Sequence, residues 1–386
     1  MSLEEVYFDN SATTKIFPQV LQEMARVLTE EYGNPSALHR RGSNAERILN
    51  SSRQTLAEFL GVKEREIVFT SGGTEANNLA ILGLARRYHK RGNHLITSAI
   101  EHPSVLEPFR QLAKEGFEVT CLQPDSRGVI SAKTLAKALR PETILVSIMH
   151  VNNEVGSIQP LTELSNVIKA KNPQIIFHVD GVQSFARLPL IPMEQGIDAL
   201  SISAHKFHGP KGTGALYLRE GLLPEPLLWG GGQERGLRSG TENVPAIAGM
   251  ALAAKLCRQA RKETMDRLQS YKKTLFQALQ AVHPWIILNG PSLEEGAPHI
   301  LNISFPGLKG EIILHALEEH KIYVSTGSAC QAREKAQSHV LKALGLDEKN
   351  REGALRLSFS YFNTEEEMDF AAAKIIEVIT ELQKFV

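Results

Sequence analysis

Cysteine is scarce in this chain, with only three among 386 residues. Their spacing shows no pairing, which argues against a disulfide framework and favours a reducing compartment. Charge of one sign is not in excess either, because 43 Lys and Arg residues balance 43 Asp and Glu residues. This balance gives no support to a general nucleic-acid-binding or membrane-binding surface.

Long hydrophobic runs are also lacking, since every apolar run is interrupted well before membrane-spanning length. The N-terminal stretch MSLEEVYFDNSATTK has no basic segment followed by an apolar core, so no signal peptide is predicted. These features predict a cytoplasmic protein without membrane or direct nucleic-acid partners. The 13 histidines include no pair with metal-ligand spacing to a carboxylate or thiol, so no metal is predicted.

Short apolar segments alternate with amphipathic segments over much of the chain. The predicted strands are EIVFTS, HLITS, FEVTCL, TILVSIMHV, IIFHVD, ALSISA and GALYL. The predicted helices between them are TEANNLAILGLARRYHK, SVLEPFRQLAKEG and LTELSNVIKAK. This alternation predicts an α/β fold with a mostly parallel sheet that is covered by helices on both faces.

The pattern changes near residue 244, where a long helical stretch extends to about Val282. After it come HILNISF, EIILHALEEH, ALRLSFS and a C-terminal helix from about Glu365. We therefore predict two domains, a large one over residues 13–250 and a smaller α+β domain of residues 1–12 and 251–386. The long helix is expected to cross the boundary in place of a flexible linker.

Polar residues follow several predicted strands, where ligands gather in open α/β sheets. FTSGGTEANN passes through Gly72 and Gly73 into a helix, whose free N–H groups suit a phosphate, although an ordinary capped turn is the alternative. Asp180 ends a strand, Gln183 follows three residues later, and Lys206 follows the next strand. A buried acid is costly without a partner, and a partly buried lysine can form a Schiff base. Taken singly, a helix cap and a solvent-exposed lysine are the plainer interpretations.

The order of these residues is more informative than any one of them. An anion cradle, a carboxylate for a pyridinium nitrogen and an amine for an aldehyde are the parts of a pyridoxal 5′-phosphate site. Lys211 is a rival amine, but it lies in a Gly/Pro turn and is expected to be more exposed than Lys206.

At this point the chain resembles the NifS/IscS-type cysteine desulfurases over nearly its whole length. The motifs that carry the resemblance, in order, are YFDNSATT, YGNPSALH, FTSGGTEANNLAI, EHPSVL, MHVNNEVG, HVDGVQS, SAHKFHGPKG, GGGQERGLRSGT, GSAC and LRLSFSYFNTEEE. The resemblance implies a fold-type I pyridoxal-phosphate enzyme of the class V aminotransferase family. It also implies the conversion of L-cysteine to L-alanine, with transfer of the sulfur to Cys330 as a persulfide.

The resemblance further implies a role for each matched residue. The implied residues are Lys206, Cys330 and His102 as catalytic groups, Gly73, Thr74, Asn153, Asp180, Gln183, Ser203, His205 and Thr241 for the cofactor, and Asn34 and Arg356 for the substrate. Thr241 would contact the phosphate of the neighbouring subunit, so a homodimer is implied. Arg356 alternates with two leucines in a predicted strand, for which the solvated face of that strand is the alternative.

The three cysteines are expected to differ in their surroundings. Residues Ser328 to Gln337 contain no large apolar side chain, so we predict that Cys330 lies on a mobile segment. A thiol there can reach the substrate and then carry sulfur outward. Cys121 alternates with apolar residues and Cys257 lies in an Ala- and Leu-rich helix, so both are predicted to be buried.

The sulfur acceptor and several alternatives stay open. The acceptor is an iron–sulfur scaffold protein or a tRNA-thiolating enzyme; the charged stretch QAREKAQ and the short ending LQKFV do not decide between them. A selenocysteine lyase, an aminotransferase-like relative and a non-catalytic sulfur-carrier or interaction protein on the same fold are the alternatives. Cys330 argues against the aminotransferase, and the presence of Lys206, Asp180 and His102 argues against the non-catalytic protein.

Overall fold

The structure is a computed structural model that describes residues 5–327 and 338–385. Its strands are β1 (Val6–Tyr7), β2 (Ile67–Thr70), β3 (His94–Ser98), β4 (Glu118–Leu122), β5 (Thr143–Ser147), β6 (Ile176–Asp180), β7 (Ala199–Ser203), β8 (Gly214–Leu218), β9 (Ile287–Leu288), β10 (Ile300–Ser304), β11 (Ile322–Tyr323) and β12 (Ala354–Ser358). Its α-helices are α1 (Pro18–Glu30), α2 (Arg40–Leu60), α3 (Gly73–Tyr88), α4 (Pro103–Lys114), α5 (Ala132–Ala138), α6 (Leu161–Lys171), α7 (Val244–Val282), α8 (Gly310–Glu319), α9 (His339–Ala343), α10 (Glu348–Glu352) and α11 (Glu365–Leu382).

A seven-stranded sheet has the order β2-β8-β7-β6-β5-β3-β4. The pairs from β7 to β4 are parallel, whereas β8 is antiparallel to both of its neighbours. β5, β6 and β7 are buried along their whole length because helices cover both faces. One hydrophobic cluster packs α3 and α4 on one face, and another packs α2, α6 and α7 on the other. The predicted α/β fold is confirmed.

The strands that precede the predicted site residues all end at one edge of this sheet. β3, β5, β6 and β7 are parallel neighbours. β2 also points to that edge, because it is antiparallel to β8 and β8 is antiparallel to β7. The segments that follow these strands therefore converge where ligands bind in open α/β sheets.

The remaining strands form smaller sheets that share a separate hydrophobic cluster. β10 pairs antiparallel with β9 and β12, and β1 pairs parallel with β11. α7 is continuous past residue 250: Met250 and Cys257 belong to the cluster beneath the large sheet, and Leu268 and Phe276 to the cluster of the smaller sheets. The division of the chain into two domains at residue 250 stays a prediction.

No helix within residues 5–327 and 338–385 combines the length and the apolar character needed to cross a membrane.

Candidate active site

A cavity of about 230 Å³ lies at the carboxyl edge of the large sheet. The predicted residues that line it are Gly73, Thr74, His102, Asn153, Asp180, Gln183, Ser203, His205, Lys206 and Arg356. Residues from five strand ends of the large sheet and from β12 thus meet in one place, as the sheet topology requires. The other lining residues are Ser11, Ala12, Ser104, Met149 and Val182.

The start of α3 forms one wall of the cavity. Gly72 has φ +155°, and no side chain caps the helix at this position. A Cβ added at Gly73 would lie 2.8 Å from Val182 Cγ2, so the backbone here packs closely and leaves no room for a side chain. The first N–H groups of a helix have no partner within the helix and attract anions. This wall suits a phosphate group.

Asp180 ends β6, and its carboxylate is held at both oxygens. Asn77 Nδ2 donates to Oδ2 over 2.8 Å, and the Val182 N–H donates to Oδ1 over 2.9 Å. Asp180 is 5% exposed, so its carboxylate is directed into the cavity and not to solvent. A buried carboxylate with a fixed orientation suits a cationic ring nitrogen.

Lys206 follows β7 within a 3-10 turn over Ala204–Lys206. Its Nζ donates to the carbonyl of Ser11 over 2.5 Å and to that of Ala12 over 2.8 Å. The solvent-exposed alternative for Lys206 is therefore wrong. Lys211 is exposed and is not among the residues that line the cavity.

Arg187 forms hydrogen bonds with two of the cavity residues, Gln183 and Lys206. Its guanidinium donates to Gln183 Oε1 over 3.0 Å and to the carbonyl of Lys206 over 2.6 Å. Gln183 Nε2 in turn donates to the Ser11 carbonyl over 2.9 Å. Burial lowers the pKa of Arg187 to about 10, so it is charged at neutral pH. This cation fixes the position of the segment that carries the lysine.

His102 caps the start of α4 and faces the cavity. Its Nδ1 accepts from the Ser104 N–H over 3.1 Å. Burial lowers the pKa of His102; Asp180 acts in the opposite direction, and Lys206 adds to the lowering. Burial together with Lys206 also lowers the pKa of His205, to about 3. Both imidazoles are therefore neutral at pH 7.

Arg356 lies in β12 and is 1% exposed, which excludes the solvated strand face. Its guanidinium donates to Asp9 Oδ1 over 2.6 Å and to the carbonyl of Asn153 over 3.0 Å. Its Nε has no hydrogen-bond partner among residues 5–327 and 338–385. A buried guanidinium beside the cavity, with a donor to spare, suits a carboxylate.

Three predicted residues are not part of this cavity lining. Asn34 is exposed, and its Oδ1 accepts from the Ser36 N–H over 2.9 Å. Thr241 is exposed and lines a separate cavity with Arg238. Cys330 lies outside the described residues, as does the segment predicted to be mobile.

The two remaining cysteines differ from each other. Cys257 is buried as predicted, its Sγ lies 3.5 Å from the Phe207 carbonyl oxygen, and burial raises its pKa to about 12. The prediction that Cys121 is buried is wrong, because its side chain is exposed. β4 is the last strand in the sheet order and pairs only with β3 among the described strands, so the alternation there does not face a covered surface.

Several site residues were missed by the sequence analysis. Ser11 and Ala12 lie in YFDNSATT, which contributed to the resemblance without an assigned role. Asn77 is four residues after Gly73 and so lies on the same helix face, a spacing that offered a signal. Arg187 gave no signal, because only the folded chain brings it under Lys206.

The fold and the cavity together define a class. A mostly parallel α/β sheet with a lysine, an aspartate and a helix N-terminus at one edge has the architecture of the fold-type I transferases. The family model described as "Aminotransferase class-V" matches residues 6–370, and the chain belongs to this family.

Individual proteins show the same similarity over nearly the whole chain. "Cysteine desulfurase IscS" of Clostridium botulinum is 42% identical over 382 residues, which cover 99% of this chain and 95% of the relative. "NifS/IcsS protein homolog" of Lactobacillus delbrueckii is 44% identical and covers 98% of each chain. The solved structure of a "NifS-like protein" aligns with a TM-score of 0.92 and 40% identity, covering 98% of this chain and 100% of that one.

Proposed function

We propose that this chain is a pyridoxal 5′-phosphate-dependent cysteine desulfurase. The observation that carries the proposal is the convergence of Lys206, Asp180, the start of α3 and Arg356 on one cavity. The name of the relative at 42% identity, "Cysteine desulfurase IscS", supports the same activity. The proposed substrate is L-cysteine, and the proposed products are L-alanine and a persulfide on Cys330.

The cavity residues fit pyridoxal phosphate. The close packing at Gly73 leaves backbone N–H groups for the phosphate, with Thr74, Ser203 and His205 beside it. Ser11 Oγ is a buried polar atom with no partner in the described ranges, so this cavity wall has hydrogen-bonding capacity to spare. When bound, pyridoxal phosphate supplies an electron sink for bond changes at the substrate carbon atoms.

The protein side chains around the ring would divide the remaining tasks. Asp180 would pair with the ring nitrogen and Gln183 with the phenolic oxygen. His102 would stack on the ring face, and Asn153 would lie beside the ring. Lys206 would hold the cofactor aldehyde and would move the substrate α-proton. A lysine held by two backbone carbonyls is positioned for both tasks.

Arg356 binds the substrate carboxylate in this proposal. Its fixed contacts with Asp9 and Asn153 orient the guanidinium, so little rotamer freedom is lost when a carboxylate binds. Asn34 is proposed as a second substrate contact, although it is exposed and outside the cavity lining in the single chain.

Sulfur transfer requires a nucleophile, and Cys330 is the proposed one. Its thiolate attacks the substrate sulfur, so an S–S bond forms while the substrate C–S bond breaks. The electron pair of that bond remains with the carbon skeleton, which takes up a proton and leaves as L-alanine. No external oxidant or reductant is needed, because the substrate carbon skeleton gains the two electrons that the sulfur atoms lose when the S–S bond forms.

The persulfide would then pass its sulfur to a cytoplasmic acceptor, either an iron–sulfur scaffold protein or a tRNA-thiolating enzyme. The active unit is proposed to be a homodimer in which Thr241 contacts the phosphate in the other subunit.

The test compares Lys206→Ala with Lys211→Ala and Cys330→Ala. Wild type and Lys211→Ala should be yellow and should yield a borohydride-reduced adduct on Lys206, whereas Lys206→Ala should not. Cys330→Ala should keep the colour and still change its absorption with L-cysteine, but form no persulfide and release no sulfide. An adduct on Lys211, or full desulfurase turnover by Cys330→Ala, would defeat the assignment.

A further inference from the structure

Gly327 and Ser338 flank residues 328–337 in the sequence and lie close together in space, and they are called here the outgoing end and the returning end. A Cβ added at Gly327 would lie 3.9 Å from the Cβ of Ser338. Ser325 Oγ donates to the Gly327 carbonyl over 3.1 Å and fixes the outgoing end. Gly327 and Ser338 thus form a narrow neck, and Cys330 lies between them in the sequence.

One buried carboxylate lies at this neck. Glu154 is 1% exposed, and its Oε2 accepts from Ser338 Oγ over 2.5 Å. A Cβ added at Gly327, which has φ +132°, would lie 3.2 Å from the same oxygen. Both ends of the segment therefore pack against a single atom of Glu154, and only glycine fits at the outgoing end without displacing it.

Glu154 is itself held rigidly and is directly joined to the candidate active site. Asn152 Oδ1 accepts from the Glu154 N–H over 2.9 Å, and Asn302 Nδ2 donates to the Glu154 carbonyl over 3.0 Å. The preceding residue, Asn153, lines the cavity and accepts from Arg356. The neck therefore has a fixed position relative to the proposed substrate-binding arginine.

The returning end has further contacts of its own. Ser338 Oγ accepts from the Leu341 N–H over 3.1 Å and so caps α9 while it donates to Glu154. His339 Nε2 lies 2.9 Å from the carbonyl oxygen of Glu101, the residue before His102. α9 is thus attached both at the neck and next to the cavity wall.

We propose that Glu154 is a positioning residue for Cys330. A segment with both ends fixed samples a smaller volume than one with a loose end, so its thiol meets the substrate sulfur more often. Glu154 touches neither substrate nor cofactor in this proposal and acts through Gly327 and Ser338. The inference rests on the proposed desulfurase function and on Cys330 as its nucleophile.

The first test measures two quantities in Glu154→Gln, with Glu163→Gln on the exposed face of α6 as the matched control. Persulfide formation on Cys330 in a single turnover should be up to ~10-fold slower in Glu154→Gln, because a neutral amide oxygen accepts the Ser338 hydrogen bond more weakly than a carboxylate does. The Kd for L-cysteine, read from the absorption change in a Cys330→Ala background, should stay within about twofold of the parent value. Glu163→Gln should change neither quantity.

A second variant separates positioning from a general loss of structure. Ser338→Asp keeps a good helix cap for α9 but places a carboxylate against Glu154. It should slow persulfide formation, and adding Glu154→Gln should partly restore the rate, because the amide can donate to the new carboxylate. Unrelated damage at the two positions would instead add, so that the double variant would be slower than either single variant.

The outcomes distinguish a failure of the positioning role from a failure of the proposed desulfurase function. If wild type makes no alanine from L-cysteine, the desulfurase proposal fails. If wild type is active and Glu154→Gln forms persulfide at the wild-type rate, only the positioning role fails. Equal losses of persulfide formation and L-cysteine binding, or no rescue of Ser338→Asp by Glu154→Gln, would also overturn it.

Discussion

Asn77 Nδ2 lies 2.8 Å from Asp180 Oδ2, so the helix that begins at the proposed phosphate site also holds the proposed partner of the ring nitrogen. The same Nδ2 lies 2.9 Å from Ser104 Oγ, which is itself 2.8 Å from His102 Nδ1. One amide thereby connects three strand ends, and its loss should disturb the carboxylate and the imidazole together.

Asn77→Leu should therefore lower the turnover of L-cysteine by ~10- to 100-fold, because a hydrogen bond to a buried charge is worth about 1.5–3 kcal/mol. The apparent affinity for pyridoxal phosphate should fall as well. Asn78→Leu is the matched control, since Asn78 Nδ2 bonds the Thr74 carbonyl of its own helix. Wild-type turnover in Asn77→Leu would show that Asp180 does not depend on this contact.

The sequence was sufficient for much of the fold. α6 and β8 have the predicted bounds, and α7 begins and ends within the predicted stretch. α1 and α2 were not assigned, although α1 carries Pro18 in its first turn and α2 ends at Gly61 in a left-handed conformation. Those signals were present, but polar residues dilute the apolar pattern of α2.

The candidate site was predictable only as a set of strand ends. Parallel topology places the ends of β6 and β7 side by side, so Asp180 and Lys206 could be paired from sequence. Contacts made across the chain carry no such local signal. Arg356 reaches Asp9 across 347 positions of sequence, and its burial could not be separated from the solvated strand face by alternation alone.

His178 gives a pH-dependent prediction. It is fully buried on β6 between Ser147 and Ser201, and burial lowers its pKa to about 3. The unfolded chain, with a pKa near ~6.5, binds a proton that the folded chain does not bind, so stability falls as pH falls through this window. His178→Asn should reduce the pH slope of the free energy of unfolding by about 1.4 kcal/mol per pH unit near pH 5.

Urea titrations between neutral pH and about pH 5 would measure this slope. Burial raises the pKa of Glu101 to about 8, which acts in the opposite direction, but Glu101 is common to both proteins and cancels in the difference. His315→Asn, at an exposed histidine, should keep the wild-type slope. An unchanged slope in His178→Asn would contradict the prediction.

The two described cysteines should differ in reactivity. Cys121 is exposed on the edge strand, whereas Cys257 is buried beneath the sheet with its pKa raised to about 12. In a Cys330→Ala background, iodoacetamide should modify Cys121 at least ~10-fold faster than Cys257, because only local opening exposes the buried thiol. Peptide mass spectrometry would measure both rates, and in urea the two should converge. Equal rates in the native protein would contradict the exposure of Cys121.

The segment after Cys330 is predicted to deliver sulfur as well as to support its capture. Deleting several residues from Gln331 to Gln337 should reduce transfer to a protein acceptor more than sulfide release to dithiothreitol. The small reductant diffuses to the persulfide, whereas a protein acceptor needs the persulfide brought to it. Equal losses in both assays would leave a role in attack on the substrate and none in delivery.

The proposed dimer predicts complementation between two inactive chains. Thr241 lies outside the cavity that contains Lys206 of the same chain, so its proposed phosphate contact belongs to the other subunit. A heterodimer of Thr241→Ala and Lys206→Ala chains then has one site with both residues and one site with neither. Random assortment makes about half of the dimers heterodimers, so a refolded equimolar mixture should regain about a quarter of the wild-type turnover per site.

The control for this experiment mixes Lys206→Ala chains with Cys121→Ala chains, whose substitution lies on the exposed edge strand. That mixture should give about half the wild-type turnover. Half of the chains carry Lys206, and the Cys121→Ala substitution does not affect their sites. Activity in the Thr241→Ala mixture that equals the mean of the two unmixed proteins would place Thr241 and Lys206 in the same site. A fully active monomer by light scattering would contradict the shared site altogether, since one chain would then supply every group that the reaction needs.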